Sequence, residues 1–335
     1  MTTDGEGAAA ETRRNADLPA IRSSLIYEAF GDPLSTLKVA EASLPTLAAG
    51  WLRVAMTYAP VNPSDLIPVT GAYAHRIDLP ATAGYEGVGH VIEAADGLSH
   101  WLGRRVLPLR GEGTWQSIVD CPASHAVCVP ATVEDQIAAR AYINPLAAWT
   151  MLRRWPVRNK TVLLSGAGSN CADYLGHWAY LQGAAHVFGI YRSQSRLTRM
   201  RELGIEPVSI GDESHIELAA RRADITFDAL GGGVASHVIA SMPEASVFVG
   251  YGLLSGLPIR MPGKRSASYA RFHLREHLPG AGDGGMDEAF AQIWPRLKDF
   301  DMAPAQIFPA RRWREAIEYQ ASPGAVKPVL DLTDF

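Results

Sequence analysis

The sequence predicts an α/β fold in which a doubly wound parallel sheet is joined to a second, β-rich domain. Two patterns carry this prediction. Between residues 23 and about 130, short apolar runs are broken by Gly, Pro and Asp, which is typical of strands separated by turns. Between residues 160 and 251, apolar runs alternate with helical stretches. Repeated strand and helix units imply a parallel sheet that helices cover on both faces.

The composition narrows the range of functions. A chain of 335 residues is comfortable for two domains, and an apolar fraction of 47% with a charged fraction of 20% is typical of a globular protein. A net charge of −4 argues against a broad nucleic-acid-binding face, and no apolar run approaches the length of a membrane span. We therefore expect neither nucleic acid nor membrane as a partner. The three cysteines, which form no disulfide framework, fit a cytoplasmic protein.

We expect three parts along the chain. Residues 1–20 are rich in Ala, Gly and Thr with scattered acids, which favours a flexible tail over a secretory signal or a transit peptide. A β-rich domain is predicted from residues 21–143 and 271–335, because the alternation of strand and helix ends near residue 271 and a last strand follows. The dinucleotide-binding domain is predicted at residues 144–270.

The predicted elements follow from apolar runs and their flanking breakers. In the first domain the predicted strands are 37–40, 51–58, 87–93, 105–109, 115–120 and 126–129. Helices are predicted at 134–141 and from residue 144 onward. After a strand at 187–190 the second domain is predicted to alternate between helices at 195–203, 214–222 and 234–242 and strands at 207–210, 225–230 and 246–251. A helix at 286–298 and a strand at 326–332 end the chain.

The centre of the second domain is a strand, turn, helix and strand unit over residues 160–196. An apolar run at 162–164 precedes a turn of small residues at 165–172, and a helix then continues to Gly183. A helix N-terminus favours anions through its free N–H groups and its dipole, so such a Rossmann-type turn can bind a dinucleotide pyrophosphate. The predicted cofactor contacts of this turn are Ser165, Gly166, Ala167, Gly168, Ser169, Asn170 and Cys171.

The glycine pattern of this turn is incomplete. Gly166 and Gly168 begin it, but Asn170 and Ala172 stand where the remaining glycines are expected. Asn tolerates positive φ and Ala is a common substitute, so the turn remains feasible. The alternative is an ordinary strand-to-helix turn that binds no nucleotide.

The residue twenty positions beyond Ala172 selects the cofactor. An acid is expected there when the adenosine ribose carries no phosphate, and this chain has Arg192. A guanidinium with Ser193 beside it suits a 2′-phosphate, so the sequence predicts NADPH rather than NADH. Arg196 and Tyr251 complete the predicted cofactor set.

Three short stretches of the first domain carry polar side chains in a recognisable order. They are Asn62-Pro-Ser-Asp65, Gly71-Ala-Tyr73 and Gly84-Tyr-Glu-Gly87, followed by Asn144-Pro145 and the nucleotide unit. Together they resemble the medium-chain dehydrogenase/reductase superfamily, and more closely its zinc-free branch of 2-enoyl thioester reductases and quinone reductases. The resemblance covers roughly residues 23–333. It implies a GroES-like fold for the β-rich catalytic domain and a homodimer paired through the edge of the nucleotide-binding sheet.

The zinc ligands of that superfamily are missing from the sequence. Zinc alcohol dehydrogenases have a Cys before the Asp of the first motif and a His before the Glu of the third, whereas this chain has Ser64 and Tyr85. Its three cysteines cannot supply a four-Cys structural site either. We expect no metal, so that proton donation falls to a side chain or to water.

Tyr73 is the predicted catalytic residue. A phenol holds its proton at neutral pH, so it can stabilise charge that develops on a carbonyl oxygen or pass a proton onward. The resemblance implies the same role, because enoyl thioester reductases use a Tyr in a matching Gly-x-Tyr. The alternative is a tyrosine that only packs a loop.

Four further polar residues have two interpretations each. By resemblance Asn62 would bind the substrate or the nicotinamide ribose, but an Asn before Pro is also a common turn starter, and both remain open. Asn144 could orient the cofactor, although a plain helix cap is the commoner role of such a residue. Asp65 and Glu86 are expected to hold loops together rather than to act as acid and base.

Basic residues near Tyr73 and at 269–277 could attract an anionic substrate, but solvated surface charge is the commoner role. His75 and Arg76 follow Tyr73 directly, and Arg271, Arg275 and His277 make the second stretch basic. The reductases resembled often carry a Trp in that second stretch, where this chain has a His. This departure leaves the substrate open.

These features predict an NADPH-dependent reductase of an activated C=C bond. Hydride would reach the β-carbon of an α,β-unsaturated thioester or carbonyl compound, while Tyr73 supports the enolate oxygen or supplies the α-proton. The thioester could be carried by coenzyme A or by acyl carrier protein. The alternatives are a quinone or small-enone reductase, and a non-catalytic nucleotide-binding protein of the same fold, which the irregular turn favours.

Overall fold

A computed structural model describes residues 19–110, 112–261, 263, 267–278, 285–322 and 324–335. The predicted tail at residues 1–20 therefore lies outside the described residues, except for its last two positions. The chain forms two compact units. The first contains the described residues up to Arg140 together with Met302–Gln320 and Lys327–Phe335, and the second contains Ala141–Asp301 and Ala321–Val326.

Among the described residues up to Arg140, the first unit contains eight strands and three single-turn α-helices. The strands are β1 Ile21–Tyr27, β2 Lys38–Ser43, β3 Trp51–Pro60, β4 Ala81–Thr82, β5 Val88–Ala94, β6 Arg105–Pro108, β7 Ile118–Pro122 and β8 Ala126–Cys128. The helices are α1 Pro33–Thr36, α2 Pro63–Leu66 and α3 Asp135–Ala138. All six predicted strands of this region are confirmed, and the structure adds β1 and β4.

The second unit alternates between helices and strands, as the sequence predicts. Its helices are α4 Ile143–Arg154, α5 Asn170–Leu181, α6 Leu197–Glu202, α7 Glu213–Arg222, α8 Gly232–Ser241 and α9 Gly285–Lys298. Its strands are β9 Thr161–Leu164, β10 His186–Tyr191, β11 Glu206–Ser209, β12 Ile225–Asp228, β13 Val247–Gly250 and β14 Ser268–Arg271. The chain ends with β15 Ala305–Pro309, α10 Trp313–Ala321 and β16 Lys327–Asp331. Within the described ranges, no helix is both long and apolar enough to cross a bilayer.

Two sheets build the first unit. One is the antiparallel sheet β2-β1-β4, and the other follows the order β15-β16-β3-β5-β6-β8 with β7 paired to β3. Leu25, Leu52, Trp115 and Trp313 are buried in the shared hydrophobic core. Because β16 pairs antiparallel with the end of β3, with Leu330 opposite Ala59, the start of the last strand lies beside the loop that follows β3. This pairing places Lys327 next to the first polar motif.

The second unit is built on one parallel sheet with the order β11-β10-β9-β12-β13-β14. Numbered within the sheet this is 3-2-1-4-5-6, which is the strand order of the Rossmann fold. The order reverses beside β9, whose neighbours are β10 and β12, and dinucleotides bind at such a reversal. The predicted fold class, an α/β protein with a Rossmann-type sheet and a β-rich domain, is confirmed.

The chain returns to the first unit later than the sequence indicates. The β-rich domain was predicted to resume at residue 271, but α9 packs against α4 in the second unit, and the first unit resumes only at Met302. Arg140 marks this junction, since its Nη1 donates to the Ala303 carbonyl oxygen at 2.8 Å. The prediction failed because a change of sequence pattern at residue 271 does not show which core α9 covers.

Candidate functional site

The first polar motif of the β-rich unit forms a capped single-turn helix. Asn62 is the N-cap of α2, and Pro63 follows at the first helical position, where a missing N–H has no effect on the helix. The Asp65 carboxylate accepts a hydrogen bond from the Asn62 backbone N–H at 2.7 Å and another from the Tyr85 backbone N–H at 3.0 Å. Asp65 therefore ties the first motif to the third, which is the loop-holding role that the sequence predicts.

The Asn62 side chain is held between two buried charged groups. Its Nδ2 donates to Glu86 Oε1 at 2.8 Å, and its Oδ1 accepts from Lys327 Nζ at 2.7 Å. All three residues are buried. The amide is thus oriented by a carboxylate on one side and an ammonium group on the other. This geometry supports the structural role of Asn62, and its contact with substrate or ribose stays a prediction.

Burial also changes the acidity of this cluster. It raises the pKa of Asp65 to about 7, with the nearby Glu86 carboxylate acting in the same direction. The two backbone N–H donors and the Lys327 ammonium group act against this rise. Sequence reasoning missed Lys327 as a member of the site. The signal for it was a single lysine inside the apolar run that ends the chain, since lysine is seldom fully buried without a partner.

Tyr73 lies half-buried at the start of a 3₁₀ turn that contains Ala74–Arg76. The Arg76 backbone N–H donates to the Tyr73 carbonyl oxygen at 3.0 Å, which closes the turn. Side chains three residues apart eclipse each other in a 3₁₀ turn, and the Arg76 guanidinium accordingly lies 3.9 Å from the centre of the Tyr73 ring. Arg76 is exposed, which agrees with the interpretation of this residue as a solvated surface charge. Its guanidinium also covers one face of the Tyr73 ring, the predicted catalytic phenol.

In the second unit, the turn after β9 has two local features that are compatible with a bound anion. Gly166 has a φ of +62°, and a Cβ there would lie 3.3 Å from the Ala229 side chain, so both conformation and space favour glycine. Ser169 caps α5, its Oγ accepting from the Ala172 backbone N–H at 3.3 Å. The N–H groups at the start of this 12-residue helix have no partner within the helix and suit an anion.

Ser165 has a different role from the rest of the turn. Its hydroxyl donates to the Asp228 carboxylate and accepts from the Ala229 backbone N–H at 3.0 Å, and both side chains are buried. Asp228 also accepts from the Gly231 backbone N–H at 2.9 Å. Burial raises the pKa of Asp228, against these hydrogen bonds. The pair joins the ends of β9 and β12, and direct contact between Ser165 and a cofactor stays a prediction.

Three predicted cofactor residues from three elements meet at the start of α5. The Tyr251 hydroxyl lies next to the side chains of Ser169 and Cys171, and burial raises the pKa of Tyr251 well above its usual value. Cys171 Sγ lies 3.9 Å from the Asn144 carbonyl oxygen. The fold therefore brings Asn144, Cys171 and Tyr251 together, although they are far apart in sequence.

The predicted capping role of Asn144 is wrong. Helix α4 begins at Ile143 with Tyr142 as its N-cap, so Asn144 lies inside the first turn. Pro145 is tolerated there because the first N–H groups of a helix have no intrahelical partner. The sequence placed the helix start one residue too late, since the Asn-Pro pair is equally compatible with a position inside the first turn.

The two arginines assigned to the cofactor differ in their surroundings. Arg192 is exposed directly after β10, and Ser193 Oγ next to it lies 2.9 Å from Ser195 Oγ. Arg196 is mostly buried, and its Nη2 lies 2.8 Å from Asp173 Oδ2. Asp173 and Asp228 were both missed by sequence reasoning, because acids near a helix start or a strand end are common and their partners lie far along the chain.

The basic stretch at 269–277 is largely engaged within its own unit. Arg271 Nη2 forms an ion pair with Glu276 Oε1 at 2.5 Å, and the His277 ring stacks on Phe272 with 4.9 Å between ring centres. Phe272 in turn packs edge to face against Trp155. These contacts favour a structural interpretation of the stretch over a site for an anionic substrate.

No metal-binding cluster is found among the residues that the structure covers. Within the described ranges, no group of three or more His, Cys, Asp or Glu side chains could hold a metal ion. Ser64 and Tyr85 occupy the positions of the two zinc ligands named above. Independence from zinc stays a prediction based on these residue types.

Sequence comparisons relate the chain to reductases. The pattern of the alcohol dehydrogenase GroES-like domain matches residues 48–131, within the first unit. The mitochondrial enoyl-[acyl-carrier-protein] reductase of Xenopus tropicalis is 27% identical over 252 residues, which cover 71% of this chain and 72% of that protein. The human mitochondrial enoyl-[acyl-carrier-protein] reductase is 32% identical over 148 residues, which cover 44% of this chain and 40% of the human protein.

Solved structures share the whole fold. A protein of Bacillus thuringiensis assigned to the NADPH:quinone reductases is 28% identical with a TM-score of 0.86, over 93% of this chain and 99% of that one. The complex of Etr1p with NADP and crotonyl-CoA is 18% identical with a TM-score of 0.78, over 93% and 99% of the two chains. A mycobacterial protein complexed with NADPH is 19% identical with a TM-score of 0.81, over 92% and 99%. The last two establish similarity of fold alone.

Proposed function

We propose that this chain is a member of the medium-chain dehydrogenase/reductase superfamily, in its branch of enoyl thioester and quinone reductases, and that it reduces an activated C=C bond with NADPH. The favoured substrate is a 2-enoyl thioester or a similar α,β-unsaturated carbonyl compound. The observation that carries the proposal is Tyr73, a half-exposed phenol on the Gly-x-Tyr loop with a guanidinium on its ring face.

The second unit fits the cofactor. The positive φ of Gly166 and the capped N-terminus of α5 suit a pyrophosphate, and Tyr251 lies at the same helix start. The exposed Arg192, with the Ser193 hydroxyl beside it, suits the 2′-phosphate that distinguishes NADPH from NADH. When bound, NADPH supplies the hydride that adds to the β-carbon of the substrate.

The protein contributes positioning and proton handling. The Tyr73 hydroxyl donates a hydrogen bond to the carbonyl oxygen of the substrate, and this bond strengthens as negative charge develops on that oxygen. Tyr73 then assists protonation of the α-carbon, either directly or by stabilising the enolate until water protonates it. The Arg76 guanidinium lies over one face of the Tyr73 ring and helps to hold the ring in place. The reaction needs no metal in this proposal, because the phenol occupies the role of the electrophile.

The second candidate is reduction of a quinone or a small enone. It is favoured by the Bacillus thuringiensis structure, which is assigned to the NADPH:quinone reductases and is 28% identical to this chain. Quinone reduction does not require a phenol at the position of Tyr73. The role of Tyr73 therefore separates the two candidates.

We also propose a homodimer that pairs through the edge of the nucleotide-binding sheet. Strand β14 is the last strand of its sheet within the described residues, and the Tyr269 ring on it is exposed. Leu253, Leu254, Leu257 and Met261, in the segment before β14, are also at least half exposed. A second copy paired along β14 would cover such apolar surface, which monomers seldom leave open. Size-exclusion chromatography with light scattering tests this directly.

Two further features of the proposal concern the carrier and the compartment. The thioester would be carried by coenzyme A or by acyl carrier protein. The thiols of Cys121, Cys128 and Cys171 form no disulfide, which fits the reducing cytoplasm. A panel with the same acyl group on either carrier distinguishes the two carriers by their kcat/KM.

The experiment that tests the function is NADPH consumption by the purified full chain with crotonyl-CoA, a small enone and a quinone, repeated with NADH. We expect the highest kcat/KM with the thioester and a preference for NADPH. The matched variant is Tyr73→Phe, which should lower kcat for crotonyl-CoA by about 100-fold or more, as loss of a proton donor does, while the Kd of NADPH stays unchanged. Quinone turnover that exceeds thioester turnover and survives Tyr73→Phe would favour the second candidate. A chain that binds neither nucleotide would exclude both enzymes.

A further inference from the structure

Arg76 is a surface arginine that pairs with no carboxylate among the residues that the structure describes. Its guanidinium lies instead over the Tyr73 ring, 3.9 Å from the ring centre. Other exposed arginines pair with an acid nearby in sequence, namely Arg221 with Glu217, Arg271 with Glu276 and Arg312 with Glu315. The described part of the chain therefore leaves the charge of Arg76 without a counterion, next to the predicted catalytic ring.

This position puts the cation beside any group that the phenol binds. The Arg76 backbone N–H donates to the Tyr73 carbonyl oxygen at 3.0 Å, so one short turn carries both the ring and the guanidinium. In the proposed reaction the Tyr73 hydroxyl donates to the carbonyl oxygen of the substrate, which then lies beside the guanidinium on the same ring. A cation–π contact does not require any of the five N–H donors of a guanidinium, and these donors can bind an anion.

We propose that Arg76 is a specificity-determining residue that binds a carboxylate of the substrate, so that the preferred substrate is a conjugated 2-enoyl compound with a carboxylate next to its C=C bond. The inference rests on the proposed function, reduction of an activated C=C bond with Tyr73 at the carbonyl oxygen. A guanidinium can donate two parallel hydrogen bonds to a carboxylate, which adds a directional preference to the electrostatic one. Arg76 thus selects the substrate by its charge, while Tyr73 acts on its carbonyl group.

A carboxylate on the acyl group fits this position better than a phosphate of the carrier does. In coenzyme A and in acyl carrier protein, the whole pantetheine arm separates the thioester from the nearest phosphate. When the thioester carbonyl is bound to Tyr73, an extended arm places that phosphate far from the ring on which Arg76 lies. A carboxylate on the β-carbon, in contrast, is only a few bonds from the carbonyl oxygen. The acyl group is therefore the source of the anion in this proposal.

The test uses two substrates that differ only in whether this carboxylate is free or esterified. They are trans-4-oxo-2-pentenoate and its methyl ester. Arg76→Gln should raise the KM of the carboxylate about tenfold, as loss of a charge-assisted hydrogen bond does, and leave the KM of the ester unchanged. The change in kcat should be the same for both substrates, because it reports the contact between the cation and the phenol ring. Arg76→Lys should retain part of the preference, since an ammonium group is also a cation but lacks the two parallel donors.

Salt and a control variant separate recognition of charge from a general effect on the loop. In the wild-type enzyme NaCl should raise the KM of the carboxylate and not that of the ester, because salt screens an exposed charge pair. Arg104 is the matched control, since it is exposed in the same unit and its guanidinium lies 5.9 Å from the centre of the Trp101 ring. Arg104→Gln should leave both KM values unchanged.

Two results would overturn the inference. An equal rise of both KM values after Arg76→Gln, with a lower Tm, would show that Arg76 only shapes the loop. Unchanged KM values in that variant would show that the cation does not contact the substrate. Failure of the inference differs from failure of the proposed function. In the first case the wild-type protein still consumes NADPH with crotonyl-CoA and with the ester, whereas in the second it consumes NADPH with none of the three compounds.

Discussion

Each of the two units contains a cluster of charged side chains. The two clusters differ in how much of their side-chain surface is exposed to solvent. In the first unit the Asn62 amide is enclosed between Glu86 and Lys327, and all three side chains are buried. In the second unit Arg196 and Arg199 both lie close to the buried carboxylate of Asp173. The first cluster is enclosed within its unit, whereas the second reaches solvent through Asp301, the partner of Arg199, whose side chain is 91% exposed.

This difference in exposure predicts how strongly a substitution in each cluster changes the stability of the protein. A sealed cluster of charges contributes to stability only while every member has its partner, and loss of one partner leaves a buried charge. A cluster with one side toward solvent can lose a member at lower energy, because water replaces the missing partner. Substitutions in the first cluster should therefore change stability more than substitutions in the second.

The largest expected effect is that of removing the ammonium group from the sealed cluster. Lys327→Met leaves the Asn62 Oδ1 without its donor and removes the cation that acts on the buried Asp65 carboxylate. We expect the free energy of unfolding to fall by about 3–5 kcal/mol, as it does when one partner of a buried ion pair is lost. Urea denaturation measures this change.

The matched control for that substitution is a lysine at the surface. Lys38 Nζ pairs with Glu28 at 2.7 Å, but both side chains are more than half exposed. Lys38→Met should change the free energy of unfolding by less than about 1 kcal/mol. If both variants were equally stable, the first cluster would not be the sealed unit described above.

The pH dependence of stability also compares the two clusters, because each contains a buried aspartate with a raised pKa. Burial raises the pKa of Asp65 to about 7 and that of Asp173 to about 6, both above the value of an unfolded aspartate near 4. Between pH 4 and 7 the folded protein therefore binds more protons than the unfolded chain. Linkage requires that these groups make the protein less stable as the pH rises through this window.

Single variants assign this pH dependence to one cluster or the other. Asp65→Asn should flatten the curve of unfolding free energy between pH 4 and 7, and Asp173→Asn should flatten it mainly between pH 4 and 6. Chemical denaturation at a series of pH values gives these slopes. A slope that both variants leave unchanged would show that other groups dominate the titration.

Most of the fold could be predicted because it follows from local patterns. Apolar runs and breakers located the strands, and the small-residue turn at Gly166 located the nucleotide unit. The helix predicted at 286–298 is present, but the unit that it covers was not predicted, since packing partners are set by tertiary contacts. Local signals thus specify elements more fully than they specify which core the elements share.

Residues of the candidate site could be named from the sequence where they lie close together in one motif. Asn62, Asp65 and Tyr73 belong to one short segment, and the sequence named all of them. Lys327 reaches Asn62 only through the pairing of β16 with β3, and Asp173 meets Arg196 only across the turn after β9. Such partners depend on strand order, which no local pattern contains.

The smallest expected effect concerns the exposed cation on Tyr73. A cation–π contact at an exposed site contributes about 0.5–1 kcal/mol, so Arg76→Gln should lower kcat for crotonyl-CoA by roughly twofold to fivefold. Arg76→Lys should retain part of the rate, because an ammonium group also forms a cation–π contact with the ring, although it stacks less well. Thermal unfolding should be unchanged in both variants. In the Tyr73→Phe background Arg76→Gln should have no further effect on kcat, because the cation acts only through the phenol that this background lacks.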